Sequence, residues 1–202
     1  MRFSAIAITT RFKPSLVFRF GRRCNIHTIA FNTGSSSLKY SVYDVERSVG
    51  RKKTLAGSLI SSGSVDKVGK SDAVFKVAGK TVFKGLVRTH EEGIKKIVEH
   101  LHSKIDAIEV VGHRVVHGGS TFTRPTIVDS EVLRKIDEYS VLAPLHNPPA
   151  IAGLKAARAI FPNAPNVAVF DSAFHSSMPP SSYRYATPHA ETLGLTLALT
   201  LP

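Results

Sequence analysis

The first third of the chain alternates apolar with polar positions or carries short apolar runs, which is typical of β-strands. Leu38, Tyr40 and Val42 share one face of a predicted half-buried strand. Two runs rich in β-branched and aromatic residues around Gly79-Lys80 indicate a hairpin. The predicted strands are 29–31, 38–45, 54–60, 73–77 and 81–87, with a loop at 61–64. This part of the chain is therefore predicted to be mainly antiparallel sheet.

After residue 88 the apolar residues take the three- and four-residue spacing of amphipathic helices. Thr89 and Glu92 have the spacing of a capping box, which predicts that a helix starts there. Asp129 or Ser130 would cap a second helix, and Pro148-Pro149 suits the first turn of a third. The predicted elements are helices at 89–103, 128–139 and 148–160, and buried strands at 105–111 and 166–170. Hairpins followed by alternating helices and strands predict an α/β fold with a mixed sheet and flanking helices.

A polar turn, Asn32-Thr33-Gly34-Ser35-Ser36-Ser37, joins the first two strands. Its amide, hydroxyl and backbone N–H groups suit an anion such as phosphate, and Gly34 would permit a positive φ. Lys39 either adds a positive charge to this site or faces solvent. The usual phosphate loop, GxxxxGK[ST] before a helix, is absent. Because glycine and serine turns also join ordinary hairpins, these residues alone leave a phosphate site and a plain hairpin turn open.

The charge of the chain is uneven. Half of the net charge of +12 lies in residues 1–28, which contain six basic residues and no acidic one. This composition is typical of an organelle transit peptide, with a mistranslated or disordered upstream stretch as the alternative. Because the remaining charge is dispersed, nucleic-acid binding is ranked last, and no apolar run reaches the roughly 18 residues of a membrane span. Cys24 is the only cysteine, so disulfides and thiol chemistry are not expected beyond this segment.

Polar clusters occur where buried strands end, the usual place for a site in an open α/β sheet. Arg114 could hold a phosphate or carboxylate through two N–H groups, or form an ordinary surface ion pair. Asp171 could bind Mg²⁺ or orient a nucleophile, or cap the following turn. His146 lies in a loop stiffened by prolines, which favours a positioning role. The clusters are His113-Arg114 with His117, His146-Asn147, and Asp171 with His175.

The histidines are not predicted to form a zinc site. His113 and His117 have the four-residue spacing of a helical zinc pair, but the residues between them favour a strand and include no glutamate, so zinc is discounted. His90, His100 and His102 lie on or beside the first predicted helix and are expected to be solvated.

Four longer motifs stand in the chain: NTGSSSLKY at 32–40, GHRVVHGG at 112–119, LAPLHNPP at 142–149 and VFDSAFH at 169–175. In order and spacing they closely resemble the N-terminal half of acetate kinases. The resemblance runs from about residue 29 to residue 185 and implies a ribonuclease-H-like domain of the actin-like ATPase superfamily. It also implies phosphoryl transfer between ATP and acetate, giving acetyl phosphate and ADP, with Mg²⁺ as the cofactor.

On the phosphate side, the resemblance implies roles for five residues. Asn32 would lie near the transferred phosphate and the metal. Ser35, Ser37 and Lys39 would belong to the same region, and His146 would contact the phosphoryl group in flight.

On the acetate side, the resemblance implies that Arg114 holds the substrate carboxylate or phosphoryl group and that Asp171 positions metal or substrate. Val116 and Leu145 would line the pocket for the acetate methyl group. A pocket with such walls favours acetate over a substrate that is one methylene longer by roughly 1–3 kcal/mol, so propionate is expected to be a slower substrate.

The resemblance also sets the expected organisation: a transit peptide at 1–28, a kinase-like domain at 29–185 and a divergent, truncated tail at 186–202. Members of the family have a second domain, which binds most of the nucleotide, and are usually homodimers. Two hypotheses follow: part of an acetate kinase, or a noncatalytic kinase-derived domain that binds phosphate, acetate or a full-length partner. The chain alone is expected to have negligible kinase activity. Its expected location is mitochondrial, with the cytoplasm as second choice.

Overall fold

The computed structural model describes residues 25–46, 57–101 and 108–183. The strands in these ranges are β1 (Asn25–Thr33), β2 (Ser37–Glu46), β3 (Gly57–Asp66), β4 (Ala73–Val77), β5 (Lys80–Gly85), β6 (Val110–Val115), β7 (Thr126–Ile127) and β8 (Asn166–Phe170). The helices are α1 (His90–Leu101), α2 (Ser130–Glu138), α3 (Asn147–Ile160) and the short α4 (Pro180–Tyr183), with 3-10 turns at Tyr139–Val141 and Asp171–His175. No helix in these ranges is long and apolar enough to cross a membrane.

All of these strands form one sheet in the order β5-β4-β3-β2-β1-β6-β8-β7. Neighbours from β5 to β1 are antiparallel, whereas β1, β6 and β8 run parallel to one another, and β7 is antiparallel to β8. The predicted α/β fold with a mixed sheet and flanking helices is confirmed. Because β1, β6 and β8 are parallel neighbours, their carboxyl ends lie side by side at one edge of the sheet.

The core has two parts, and α3 contributes to both. One part contains Ile29 and Phe31 of β1, with Ala157 of α3. The other contains Phe170 of β8, with Leu154 of α3. Helix α3 contacts β1, β6 and β8, and its first residue, Asn147, bonds to His117 just after the end of β6.

Two predictions about the antiparallel region are wrong. Residues 61–64, predicted as a loop from their serines and glycine, lie within β3 because all four pair with β2, and Gly63 and Ser64 also pair with β4 on the other side. A Cβ at Gly63 would lie 2.2 Å from the Lys76 carbonyl oxygen and 2.8 Å from the Tyr40 ring, so the small residue follows from packing. The β4–β5 turn is at Ala78-Gly79, one residue earlier than predicted, and both have a positive φ.

The helix predictions are largely confirmed. The Thr89 hydroxyl accepts the Glu92 N–H at 3.2 Å, and Glu92 accepts the Arg88 N–H at 2.7 Å, so a capping arrangement precedes α1. Asp129 caps α2 by accepting the Val132 N–H at 2.8 Å. The predicted helix end at 103 and strand start at 105 lie outside the described residues. β6 extends to Val115, so His113 and Arg114 lie within that strand.

Candidate functional site

Arg114 joins side chains from the three parallel strand ends. It projects from β6, between Asn32 near the end of β1 and Asp171 immediately after β8. Its Nε donates to Asp171 Oδ1 at 3.0 Å and Oδ2 at 2.9 Å, and a terminal nitrogen donates to Oδ2 at 2.6 Å. The other terminal nitrogen donates to Asn32 Oδ1 at 3.4 Å. The parallel register thus assembles a site from residues 82 and 57 positions apart along the chain.

The Arg114–Asp171 pair fixes both the position and the charge of the guanidinium. The hydrogen bonds that Arg114 donates to Asp171 raise the pKa of Arg114 above its usual value, so the side chain stays cationic. The contacts engage an N–H on each of its three nitrogen atoms, and a guanidinium carries five N–H donors in total. Donors therefore remain for an anion.

A cleft of about 200 Å³ opens in front of Arg114. It is lined by Asn32, Thr33, Gly34, Ser37, Lys39, Arg114, Val116 and His146. Six of the nine residues to which the resemblance gives a role therefore line one cavity. Of the other three, Asp171 acts on it through Arg114, Ser35 is exposed in the turn, and Leu145 is 76% exposed.

The turn after β1 forms one wall of the cleft. The Gly34 N–H donates to the Ser37 carbonyl at 2.8 Å, and the Ser36 carbonyl accepts the Val68 N–H at 2.9 Å. Gly34 does not have a positive φ, so the conformational reason expected from the sequence does not apply. Instead, a Cβ at this position would lie 2.9 Å from Ser37 Oγ. A larger residue here would therefore displace the Ser37 hydroxyl, and Ser37 also lines the cleft.

Asn147 holds the chain around His146, another residue of the cleft lining. Its side chain is fully buried; Oδ1 accepts the His117 N–H at 3.2 Å and Nδ2 donates to the His117 carbonyl at 3.0 Å. These bonds tie the start of α3 to the chain that follows β6. His146, the residue before α3, is thereby held at the cleft. Of the predicted His146-Asn147 cluster, His146 lines the cleft, whereas Asn147 is buried and holds the chain in place.

The other two predicted clusters are not assembled as expected. His113 is 3% exposed, its Nε2 bonds to Asn166 Oδ1 at 2.8 Å, and burial lowers its pKa to about 4. It alternates with Arg114 along β6 and so faces the other side of the sheet. His117 is buried, with Nδ1 accepting the Gly119 N–H at 2.9 Å, and His175 is exposed beside Phe174. None of these three histidines lines the cleft.

His90 and His100, which were predicted to be solvated, are each half-buried and make a specific contact. His90 Nε2 donates to the Gly34 carbonyl at 2.8 Å, and His100 packs edge-on against Phe75 with ring centroids 5.8 Å apart. His102 lies outside the described residues. The capping box located the start of α1, but the contact between His90 and Gly34 spans 56 positions and has no local signal.

A sequence model described as the Acetokinase family matches residues 27–196. The chain belongs to this acetokinase family. Acetate kinase of Symbiobacterium thermophilum is 42% identical over 172 residues, which are 80% of this chain and 41% of the relative. Acetate kinase 2 of Listeria monocytogenes is 40% identical over 171 residues, which are 81% of this chain and 41% of the relative.

Solved structures of acetate and propionate kinases have the same fold. The crystal structure of Porphyromonas gingivalis acetate kinase superposes with a TM-score of 0.71 at 32% identity, covering 84% of this chain and 43% of that one. A propionate kinase from Francisella tularensis gives 0.69 at 31% identity, covering 85% and 43%. The domain thus has the actin-like ATPase fold of phosphotransferases in the acetokinase family. The chain spans about 41% of the length of the curated relatives named above.

Proposed function

We propose that this chain carries the acetate- and phosphoryl-binding part of an acetate kinase, which transfers a phosphoryl group between ATP and acetate to give acetyl phosphate and ADP. The proposal rests mainly on the position of Arg114. Asp171 and Asn32 hold this side chain in the cleft, and some of its N–H groups remain available to an anion. Membership of the acetokinase family supports the same reaction.

The cleft has the charge that phosphoryl transfer needs. In such a reaction negative charge is spread over three equatorial oxygens, and catalysis comes mainly from positioning and from preorganised donors. Arg114 provides a positive charge that Asp171 holds in place, Lys39 a second positive charge, His146 a ring N–H, and Asn32 an amide. We assign Arg114 to the carboxylate or phosphoryl oxygens, and His146 and Lys39 to the phosphoryl group.

Val116 supplies the apolar part of the cleft lining and is the residue we assign to the acetate methyl group. Leu145, assigned to the same pocket from the resemblance, lies outside the lining and is largely exposed. A single valine wall discriminates weakly, so propionate remains a slower substrate in this proposal.

The donor set fits Mg²⁺ that arrives with a nucleotide or acyl phosphate. Mg²⁺ is usually held by one or two carboxylates together with substrate phosphates and water. Asn32 offers an amide oxygen and Asp171 a carboxylate; within the described residues, no three His, Cys, Asp or Glu side chains converge as a metal site. When bound, the ion would neutralise charge on the phosphates, while Asp171 also keeps Arg114 in place.

Binding of acetyl phosphate to the purified 202-residue chain, measured by isothermal titration calorimetry, tests the proposal. Arg114→Ala should abolish binding. Arg134→Ala is the matched control, because Arg134 pairs with Glu138 on the exposed side of α2, away from the cleft lining. Equal affinity of the two variants for acetyl phosphate would refute the assignment of Arg114.

A second candidate function is a noncatalytic domain that binds phosphate, acetate or a full-length partner. The free N–H donors of Arg114 in the cleft favour anion binding whether or not a phosphoryl group is transferred. ATP-dependent formation of acetyl phosphate by the purified chain separates the two functions. We expect negligible turnover, because losing even one preorganised electrostatic contact costs about 10²–10³ in rate. Measurable turnover would establish the chain as a kinase by itself.

We also propose that residues 1–28 direct the protein to mitochondria, on the strength of their acid-free, arginine-rich composition. A fusion of residues 1–28 to a fluorescent protein should be imported into isolated mitochondria and shortened. A fusion that stays outside and keeps its full length would refute this proposal.

A further inference from the structure

His90 forms a long-range contact with the turn that lines the cleft. It is the first residue of α1, and its Nε2 lies 2.8 Å from the Gly34 carbonyl oxygen in a partly buried position. We propose that His90 is a positioning residue that holds the Gly34-Ser35-Ser36 turn in the conformation that accepts the phosphoryl group. This inference rests on the proposed function and extends it to a residue outside the cleft lining.

The anchor of this contact is rigid. Ile94 and Ile97 of α1 are fully buried in the core. A Cβ at Gly93 would lie only 3.4 Å from Leu38 Cδ2, so α1 packs closely on β2. Since the start of the helix is also capped through Thr89, the ring of His90 extends from a fixed backbone. A hydrogen bond from such an anchor restricts the turn instead of moving with it.

The direction of the Gly34 carbonyl decides what the turn presents to an anion. In a planar trans peptide, the Gly34 carbonyl and the Ser35 N–H point in opposite directions. By holding the carbonyl, His90 also directs the Ser35 N–H away from α1. A free carbonyl oxygen near the cleft would repel an anion, whereas N–H groups in a turn attract it.

A backbone N–H holds another carbonyl of the turn. The Ser36 carbonyl accepts the Val68 N–H at 2.9 Å, so a side-chain donor and a backbone donor together hold the carbonyls of Gly34 and Ser36 against the protein. Gly34 and Ser37, which flank these peptides, line the cleft with Lys39. His90 is the side-chain member of this arrangement, and it can be replaced without altering a cleft residue.

Three variants of the 202-residue chain test the proposal: His90→Ala, His90→Gln and His100→Ala. Glutamine keeps an N–H donor at about the reach of Nε2, whereas alanine removes it. His100→Ala removes a histidine from the same helix that packs on Phe75 instead of the turn. The first measurement is amide hydrogen exchange of residues 33–38 without ligand, and the second is titration with inorganic phosphate and acetyl phosphate.

We expect His90→Ala to accelerate amide exchange in the turn and to lower the affinity for both anions about tenfold. This is the effect of losing one hydrogen bond of ordinary strength. His90→Gln should restore both properties, and His100→Ala should leave both unchanged. Unchanged exchange in His90→Ala would overturn the proposal. So would faster exchange with unchanged anion affinity, which would make the contact merely structural.

The outcome for the wild-type chain separates this inference from the proposed function. If the wild-type chain binds neither phosphate nor acetyl phosphate, the proposed function is refuted and the anion role of His90 falls with it. If the wild-type chain binds and His90→Ala binds equally well, only the role of His90 is refuted.

Discussion

The buried His113 should make folding stability depend on pH in a way that can be calculated. Its ring is 3% exposed, lies beside Phe31 with centroids 5.8 Å apart, and bonds through Nε2 to Asn166 Oδ1 at 2.8 Å. Asn166 Nδ2 donates to the Ala164 carbonyl at 3.0 Å, so its Oδ1 is the atom that accepts from His113. A proton added to the other ring nitrogen would place a charge inside the core.

Burial lowers the pKa of His113 from 6.5 to about 4. Between pH 6.5 and pH 4 the histidine is protonated in the unfolded chain but neutral in the folded chain. The free energy of unfolding is therefore highest above about pH 6.5 and decreases as the pH falls toward 4. Linkage with these two pKa values gives a loss of about 2 kcal/mol between pH 7 and pH 5, and about 3 kcal/mol once pH is below 4.

Urea unfolding at pH 7 and pH 5 measures this loss. His113→Gln keeps an N–H toward Asn166 but does not titrate, so its free energy of unfolding should change by about 2 kcal/mol less than that of the wild type over this interval. His175→Gln, which replaces an exposed histidine, should behave like the wild type. The same pH dependence in His113→Gln and wild type would refute a neutral, buried His113.

Three further substitutions test the architecture of the cleft. Asp171→Asn removes the carboxylate that orients Arg114 and replaces a charge-assisted pair by a neutral contact. It should weaken acetyl phosphate binding about tenfold in calorimetry. Unchanged affinity would show that Arg114 needs no partner. Asn147→Ala leaves buried backbone groups without their partners and should lower the free energy of unfolding in urea by about 2 kcal/mol; a loss below about 0.5 kcal/mol would contradict the clamp. Gly153→Ala would place a Cβ 2.4 Å from Thr33 Oγ1, at the contact between α3 and β1. It should cost about 1–3 kcal/mol in the same assay, and an unaltered unfolding midpoint would mean that the contact is loose.

Local sequence patterns predicted much of the fold because they act over short distances. The capping box at Thr89 and Glu92 and the cap at Asp129 located the starts of α1 and α2. The apolar run at 166–170 predicted β8 with its observed bounds. The same reasoning failed for residues 61–64, because a serine- and glycine-rich segment becomes a central strand only when two neighbouring strands supply its hydrogen bonds.

For the site, the residue types alone indicated which side chains bear chemistry. Arg114, Asp171 and His146 were recognisable as candidates, and motif resemblance implied their family roles. Each still had a structural alternative, and the sequence did not pair Arg114 with Asp171. His113 illustrates the limit, since it is adjacent to Arg114 in sequence yet lies buried on the other side of the sheet.

The sequence by itself determined the fold class, the main elements and the acetokinase family, because hydrophobic period, caps and long motifs are properties of neighbouring residues. Only the tertiary structure decided which candidates share a cleft. The parallel register of β1, β6 and β8 brings Asn32, Arg114 and Asp171 together, and the packing of α1 on β2 brings His90 to Gly34. These contacts span 56 to 82 positions, and their geometry depends on strand order and helix packing, which local patterns do not encode.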